Sequence, residues 1–281
     1  MASLTGSAPL PAGTPRDVPA LLRRLLDDDP GRPRLTWYGP GGERVELSAK
    51  ALDNWVAKTA NLLVNELDAG PGSRVAITLP THWRLVCWLL ATWSVGACAV
   101  LPGGSAGGSS GGSSGGSAYG APGAGTPPSA DVLVSADAAV LATAGTGYAV
   151  AVALPALAAG YGPGLPPGAI DAASDVRAQG DVFVPPVLPV PGDPALDLPG
   201  GLQLRPGEQL RYGELIGAAV QAAADAGMPA RVRHLARGGP QDAVADLLAP
   251  LVRLGSVLLH HDLPALTSDD LTHLLAQERA T

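Results

Sequence analysis

An α/β fold, built from two Rossmann-like parallel-sheet subdomains related by internal duplication, is what this sequence predicts. Short apolar runs of strand character alternate with segments whose apolar residues recur at helical spacing. One order of elements, helix–strand–helix–strand, occurs twice, in residues 48–101 and again in 212–260. Hydrophobic residues make up 46% of the 281, enough for a core of normal size.

The elements follow in order. Leu35 to Tyr38 and Arg44 to Leu47 read as a hairpin around Gly39-Pro40-Gly41-Gly42. Ser48 is placed to cap a helix, with Leu47 and Leu52 as its hydrophobic staple. Leu52, Trp55, Val56, Leu62, Leu63 and Leu67 then mark its buried stripe, and Gly70-Pro71 ends it. Arg74 to Leu79 is a strand, Pro80 a turn, and an apolar helix runs to about Val95. Gly96 stops that helix, and Cys98 to Leu101 is the next strand. Asp131 to Ser135 and Ala149 to Ala153 add strands to the first sheet. Leu196 to Leu198 and Leu202 to Leu204 form a hairpin that opens the second. Tyr212 to Ala226 (helix), Arg231 to Leu235 (strand), Gln241 to Leu254 (helix) and Ser256 to His260 (strand) repeat the plan, with Gly255 as the stop. The uncharged run Leu85 to Leu101 is nearly long enough to span a bilayer. Gly96 interrupts it and Pro102 closes it, so a buried helix followed by a buried strand is the better reading.

The first subdomain is expected over residues 1–102 and 126–190, and the second, incomplete one over 191–281. Between the halves of the first lies a tract, 103–125, in which 17 of 23 residues are Gly or Ser. Burial cannot offset the ordering entropy of such a chain, so a flexible insertion is expected. A net charge of −7 argues against nucleic-acid binding. Cys87 and Cys98 lie in apolar runs with no CxxC, as buried reduced thiols do. With no apolar leader near Met1 and no glycosylation acceptor, a cytoplasmic protein without a membrane partner is expected.

The block from Val45 to Pro102 resembles the start of the adenylate-forming superfamily, which includes acyl-CoA synthetases, adenylation domains and luciferases. The matching stretches are LSAKALDNWVAKTANLLVNEL, then PGSRVAITLPTHW, then WLLATWSVGACAVLP, against a family pattern of helix, GDRVA strand, LPN turn and GAVVVPL strand. ARVRHLARGGPQDAVADLLAPLVRLGSVLLHHD resembles the segment after the family's phosphate loop. The likeness covers most of the chain outside the Gly/Ser tract, but about the first half of a typical member. It is greatest to short AMP-binding-like proteins lacking the C-terminal lid. The resemblance implies a truncated acyl-CoA-synthetase N-domain-like fold.

The matching motifs are scaffold, and the chemical ones depart from the pattern. The family's Pro-Lys-Gly phosphate loop should fall between Ala195 and Tyr212, where ALDLPGGLQLRPGEQLRY carries no lysine, and no hydroxyl residue before Arg211. Arg205-Pro206-Gly207 is a faint echo. Thr281 precedes the family's adenine, ribose and hinge motifs and its lid lysine. No catalytic residue, cofactor or metal is therefore assigned.

Other motifs weigh little. Thr143, Gly145 and Gly147 mimic half a phosphate loop, and with Arg205 they are the weak cofactor-binding candidates; a tight turn is the plainer reading. GxSxG at Gly103 to Gly107 lacks the following helix that a nucleophile elbow needs. His260 and His261 are adjacent on a strand, which points them to opposite faces, away from a shared ion. Asp27-Asp28-Asp29 reads as a polar helix end, and Trp83, Trp88 and Trp93 as core.

The function expected is a non-catalytic, adenylate-forming-like binding or assembly module. The alternatives are a small-molecule (acyl or nucleotide) binder, or part of an acyl-CoA synthetase completed by a partner. A fold continuing past this chain in its relatives would leave a bare edge or patch here. Self-association or a protein partner is expected for that reason.

Overall fold

The computed structural model describes residues 11, 13–101, 129–143, 145, 147–198 and 209–281. Helix α1 (Val18–Asp28) opens on Asp17, whose carboxylate accepts from the Ala20 N–H at 2.7 Å. Strands β1 (Pro33–Tyr38) and β2 (Arg44–Ser48) form the expected hairpin, turned by Gly41 and Gly42 at positive φ. Helix α2 (Ala49–Asn65) is capped by the Ser48 hydroxyl, as its sequence requires. Next come β3 (Arg74–Thr78), α3 (Trp83–Ser94) and β4 (Cys98–Val100). All twelve residues of α3 are buried, so the apolar run is a core helix and strand. Among the described residues no helix is long and apolar enough to cross a membrane.

Strand β5 (Val132–Ser135), helix α4 (Ala138–Ala142), strands β6 (Tyr148–Ala151) and β7 (Ile170–Asp171), and helix α5 (Ala172–Ala178) extend the first sheet. Strands β8 (Pro194–Asp197) and β9 (Gln209–Arg211) lead into α6 (Tyr212–Asp225) and β10 (Arg233–Leu235). β10 begins two residues later than expected, because Arg231 takes φ +60°. The expected helix from Gln241 to Leu254 is broken. A 3-10 turn (Pro240–Asp242) and a π turn (Val244–Leu248) precede α7 (Ala249–Val252). Pro250 supplies the cause, since it has no N–H for the Asp246 carbonyl and its ring crowds that position in a regular helix. Strand β11 (Ser256–His260) and helix α8 (Ser268–Glu278) complete the chain.

Two sheets result. One has seven strands in the order β7-β6-β5-β3-β4-β8-β9, parallel except at β9; the other has four, β10-β11-β1-β2, parallel except at β2. This corrects two expectations. The hairpin partner of β8 is Gln209–Arg211, while 202–204 lies outside the described residues. That hairpin joins β4 in the first sheet instead of opening the second, and the N-terminal hairpin joins β11 in the second. The sheets therefore do not divide the chain at residue 191. Local pattern shows that two strands pair with each other, but not which third strand they extend.

α3 lies between the sheets and contacts α1, α2, β1, β3 and β4, and one continuous apolar core includes residues of both. On the outer face of the smaller sheet, α8 covers Leu235 and Leu258. An ion network pins α8 there, with Glu278 accepting from Tyr38, Arg44 and Arg233. The outer edge of β10 is occupied by Thr281, which accepts from Leu235 N–H at 3.0 Å and donates to Arg233 O at 2.9 Å. Both cysteines are free and buried, and burial pushes the Cys87 thiol up to about 12 and Cys98 to about 11.

Candidate functional site

In open parallel sheets, ligands bind beyond the carboxyl ends of the strands where the connections diverge. Here that point lies between β3, whose crossover leads to β4, and β5, whose crossover leads to β6 on the other side. The polar groups at this edge are spent on the backbone. The Thr78 hydroxyl donates to Val134 O at 3.2 Å, the Ser135 hydroxyl accepts from Asp137 N–H at 3.1 Å, and Asp137 caps α4 at 2.8 Å. Tyr161 donates its hydroxyl to Ala136 O at 2.8 Å.

His82 follows β3 and is wholly buried. Its Nδ1 accepts from the Arg84 N–H at 3.1 Å, which places the ring proton on Nε2, 2.9 Å from Leu154 O. Burial, reinforced by the Arg84 charge, pushes its pKa down to about 3. The imidazole is a neutral helix cap packed 4.1 Å from the Trp37 ring, and it does not stand as an exposed base. Opposite, after β10, Asp246 reaches back from the π turn. One oxygen meets His234 Nε2 at 2.8 Å, and the other accepts from the N–H groups of Arg237 and Gly238 at 3.1 and 2.7 Å. This single carboxylate folds the loop Ala236–Gly239 onto its own helix. Between the two loops remains a cavity of about 30 Å³, walled mostly by apolar groups such as Leu85, Leu89, Ala243 and Leu259. One water fills that volume.

The residues singled out from sequence lie elsewhere. Thr143 ends α4, its hydroxyl donating to Val140 O at 2.7 Å. Gly145 faces open space, and Gly147 is needed because a Cβ there would stand 2.4 Å from Asp131 O. All three sit between a helix C-terminus and the amino end of β6. A phosphate loop has the reverse order, with strand before loop and helix N-terminus after it. Arg205 lies outside the described residues.

The His260 and His261 rings stand 4.8 Å apart, closer than strand alternation implies, because β11 ends at His260 and His261 already turns. Among the described residues no group of three or more His, Cys, Asp or Glu is gathered. Asp28 of the acidic run proves to be an anchor, pairing with the fully buried Arg34 at 2.6 Å and with Arg231. Trp83, Trp88 and Trp93 are core. Neither His82 nor Asp246 was flagged by its neighbours in sequence, since their partners are fixed by the fold.

A family model described as AMP-binding enzyme matches residues 22–102. A TIGR03089 family protein of Mycobacterium tuberculosis (strain ATCC 25618 / H37Rv) is 40% identical over 173 residues, 61% of this chain and 64% of that protein. Among solved structures, a Brucella canis acyl-CoA synthetase shares the fold with a TM-score of 0.68 at 19% identity. That match takes in 93% of this chain and 46% of the synthetase. The chain thus spans under two thirds of its curated relative and about half of the solved one.

Proposed function

As a relative of the adenylate-forming superfamily, the chain acts, we propose, as a binding or assembly module that does not itself adenylate a carboxylic acid. One observation carries this reading. At the carboxyl ends of β3 and β5, where a nucleotide would lie, the hydroxyls of Thr78, Ser135 and Tyr161 are all engaged by backbone groups. The histidine there is neutral and buried. The stretch between Ala195 and Tyr212 agrees, since it has no lysine to meet charge developing in the transition state, and of its two arginines Arg211 donates to Gly192 O.

Assembly has its own support. Val182, Val184, Val187, Leu188 and Val190 are exposed in one proline-rich segment, while Phe183 beside them packs on the core. A second copy of the chain or a protein partner would cover such a ribbon.

Pyrophosphate exchange with a broad panel of acids tests the reading. Background rates are expected throughout. Exchange above background, abolished by a substitution between Ala195 and Tyr212, would overturn it. Sedimentation equilibrium at micromolar concentration tests assembly: a monodisperse 28.1 kDa monomer that recovers no partner from its native lysate removes that part.

A further inference from the structure

Between α5 and β8 the chain crosses the surface as a strap, residues 180–193, with no helix or strand of its own. Pro185, Pro186, Pro189 and Pro191 remove four backbone donors from it, which bars a regular helix or an inner strand. Both ends are tied down. The Asn61 amide donates to Gly180 O at 2.9 Å and Val182 O at 3.0 Å. At the far end the Asp193 carboxylate accepts from Val190 N–H at 2.8 Å, and Gly213 N–H donates to Pro191 O at 3.0 Å.

The side chains of the strap divide between two faces. Phe183, Pro185 and Pro189 are half-buried, while Val182, Val184, Val187, Leu188 and Val190 are 58% to 78% exposed. Those five are most of the seven large apolar side chains exposed among the described residues, so the exposure is concentrated here. With both ends tied, the strap cannot roll over to hide the outward set, and doing so would bare Phe183 instead.

Two hollows flank the strap. One of about 200 Å³ has Leu22 and Leu26 of α1, Val56 of α2 and Val182 and Phe183 of the strap in its wall. The other, of about 170 Å³, is walled by Trp93, Tyr212 and Leu188 among others. Val182 and Leu188 thus line the hollows while standing exposed, which puts projection and recess on one face. An apolar cavity of about 150 Å³ takes benzene, so either hollow has room for a valine or leucine side chain. Arg23, Lys50, Asp53 and Asp181 also line the first hollow, and none of the four forms an ion pair among the described residues. Burial holds the Asp53 carboxyl above its usual range in spite of the Lys50 charge.

We propose that this face is a two-fold interface between copies of the chain, the strap of each seated against the hollows of the other. A two-fold contact needs a patch complementary to itself, since residue i meets j and j meets i. Here one patch carries the apolar projections, the recesses that receive them, and two cations beside two anions. Across a two-fold axis each unpaired cation can face an unpaired anion of the other copy, and no net charge opposes the approach. The assignment presupposes the assembly half of the proposed function, and adds which face and which partner.

Sedimentation of the full chain from about 0.1 to 100 μM tests it. A species of twice 28.1 kDa is expected for wild type. Leu188→Glu, on an exposed side chain, should leave the fold intact by circular dichroism and raise the dimer dissociation constant about thirtyfold or more. Charge reversal tests the two-fold pairing itself. Arg23→Glu with Lys50→Glu makes the patch wholly negative, and Asp53→Lys with Asp181→Lys makes it wholly positive. Each reversed chain alone is expected to be monomeric, and an equal mixture of the two to recover the dimer. A reversed pair that folds but stays monomeric when mixed overturns the two-fold pairing. If either reversed chain fails to fold, Leu188→Glu still decides. A wild-type dimer that Leu188→Glu leaves unchanged overturns this face, while assembly itself stands. A wild-type monomer overturns the proposal outright, and assembly then stands only if that monomer recovers a different protein from its native lysate.

Discussion

The two helix–strand–helix–strand units, α2-β3-α3-β4 and α6-β10-α7-β11, both end their second helix on a glycine, but for different reasons. Gly96 has φ +86°, a left-handed conformation that a side chain resists. In the second unit the left-handed residue is Leu254, at φ +57°, and Gly255 after it serves another need. A Cβ on Gly255 would lie 2.3 Å from Val232 O and 2.8 Å from Pro250 O, so two stretches of backbone pass where a side chain would stand. The same letter in the same place thus records a left-handed torsion beside the Pro71 ring, 2.9 Å from where a Cβ would stand, in one unit, and a close approach of backbone in the other. The helices differ in parallel. α3 is regular and buried all round, whereas its counterpart is broken by Pro250 and ties a loop down through Asp246.

The largest test of this contrast is Gly255→Ala, expected to destabilise by about 3 kcal/mol because backbone has to move. Urea unfolding measures it, and a loss no greater than that of Gly96→Ala would erase the distinction.

His82 comes next. Its pKa falls from 6.5 to about 3 on folding, through burial first. Below about pH 6.5 the unfolded chain takes up a proton that the folded chain refuses, so stability declines as pH falls toward 3 and is unaffected above pH 7. Between pH 7 and 5 wild type should lose about 2 kcal/mol more than His82→Asn, which keeps a capping side chain. Parallel pH profiles for the two proteins would show that the imidazole is not the neutral cap of the first unit. Gly96→Ala should cost about 1.5 kcal/mol from the left-handed torsion, and the Pro71 ring, 2.9 Å from the new Cβ, must also give way. The smallest effect concerns the Gly/Ser-rich tract. Cutting residues 103–125 to about ten should change stability by less than about 1 kcal/mol, because closure entropy varies slowly with length.

What could be read from the sequence was what neighbouring residues decide. Ser48 and the stripe of α2, the β3–α3–Gly96–β4 succession, and the burial of the cysteines and of three tryptophans all follow from spacing within a turn or two. The first hairpin was legible as a hairpin and the second only in its first strand, its return strand being Gln209–Arg211; the third partner of each lies more than 90 residues away and leaves no mark on the local pattern. The break at Pro250 could have been read from the proline itself, within a run otherwise helical in spacing. Arg84 gave one faint signal, a lone charge at the head of an otherwise uncharged run. That its Nε would be buried without an acceptor among the described residues is a property of three-dimensional neighbours alone.

The exchange of hairpins between the sheets also has a consequence for synthesis. A chain leaving the ribosome presents β1 and β2 together, but the strand that receives them, β11, spans Ser256–His260. Over two hundred residues must be polymerised between β2 and β11, and for that time the edge of β1 that β11 will occupy stays unpaired. At elongation rates of about 5–20 residues per second that interval lasts at least about 10 s. The nascent chain therefore passes through a long-lived state in which the β1–β2 hairpin keeps an unpaired edge. Within that window holdase chaperones, or a neighbouring nascent copy, compete with the chain's own carboxyl-terminal strand for the same edge.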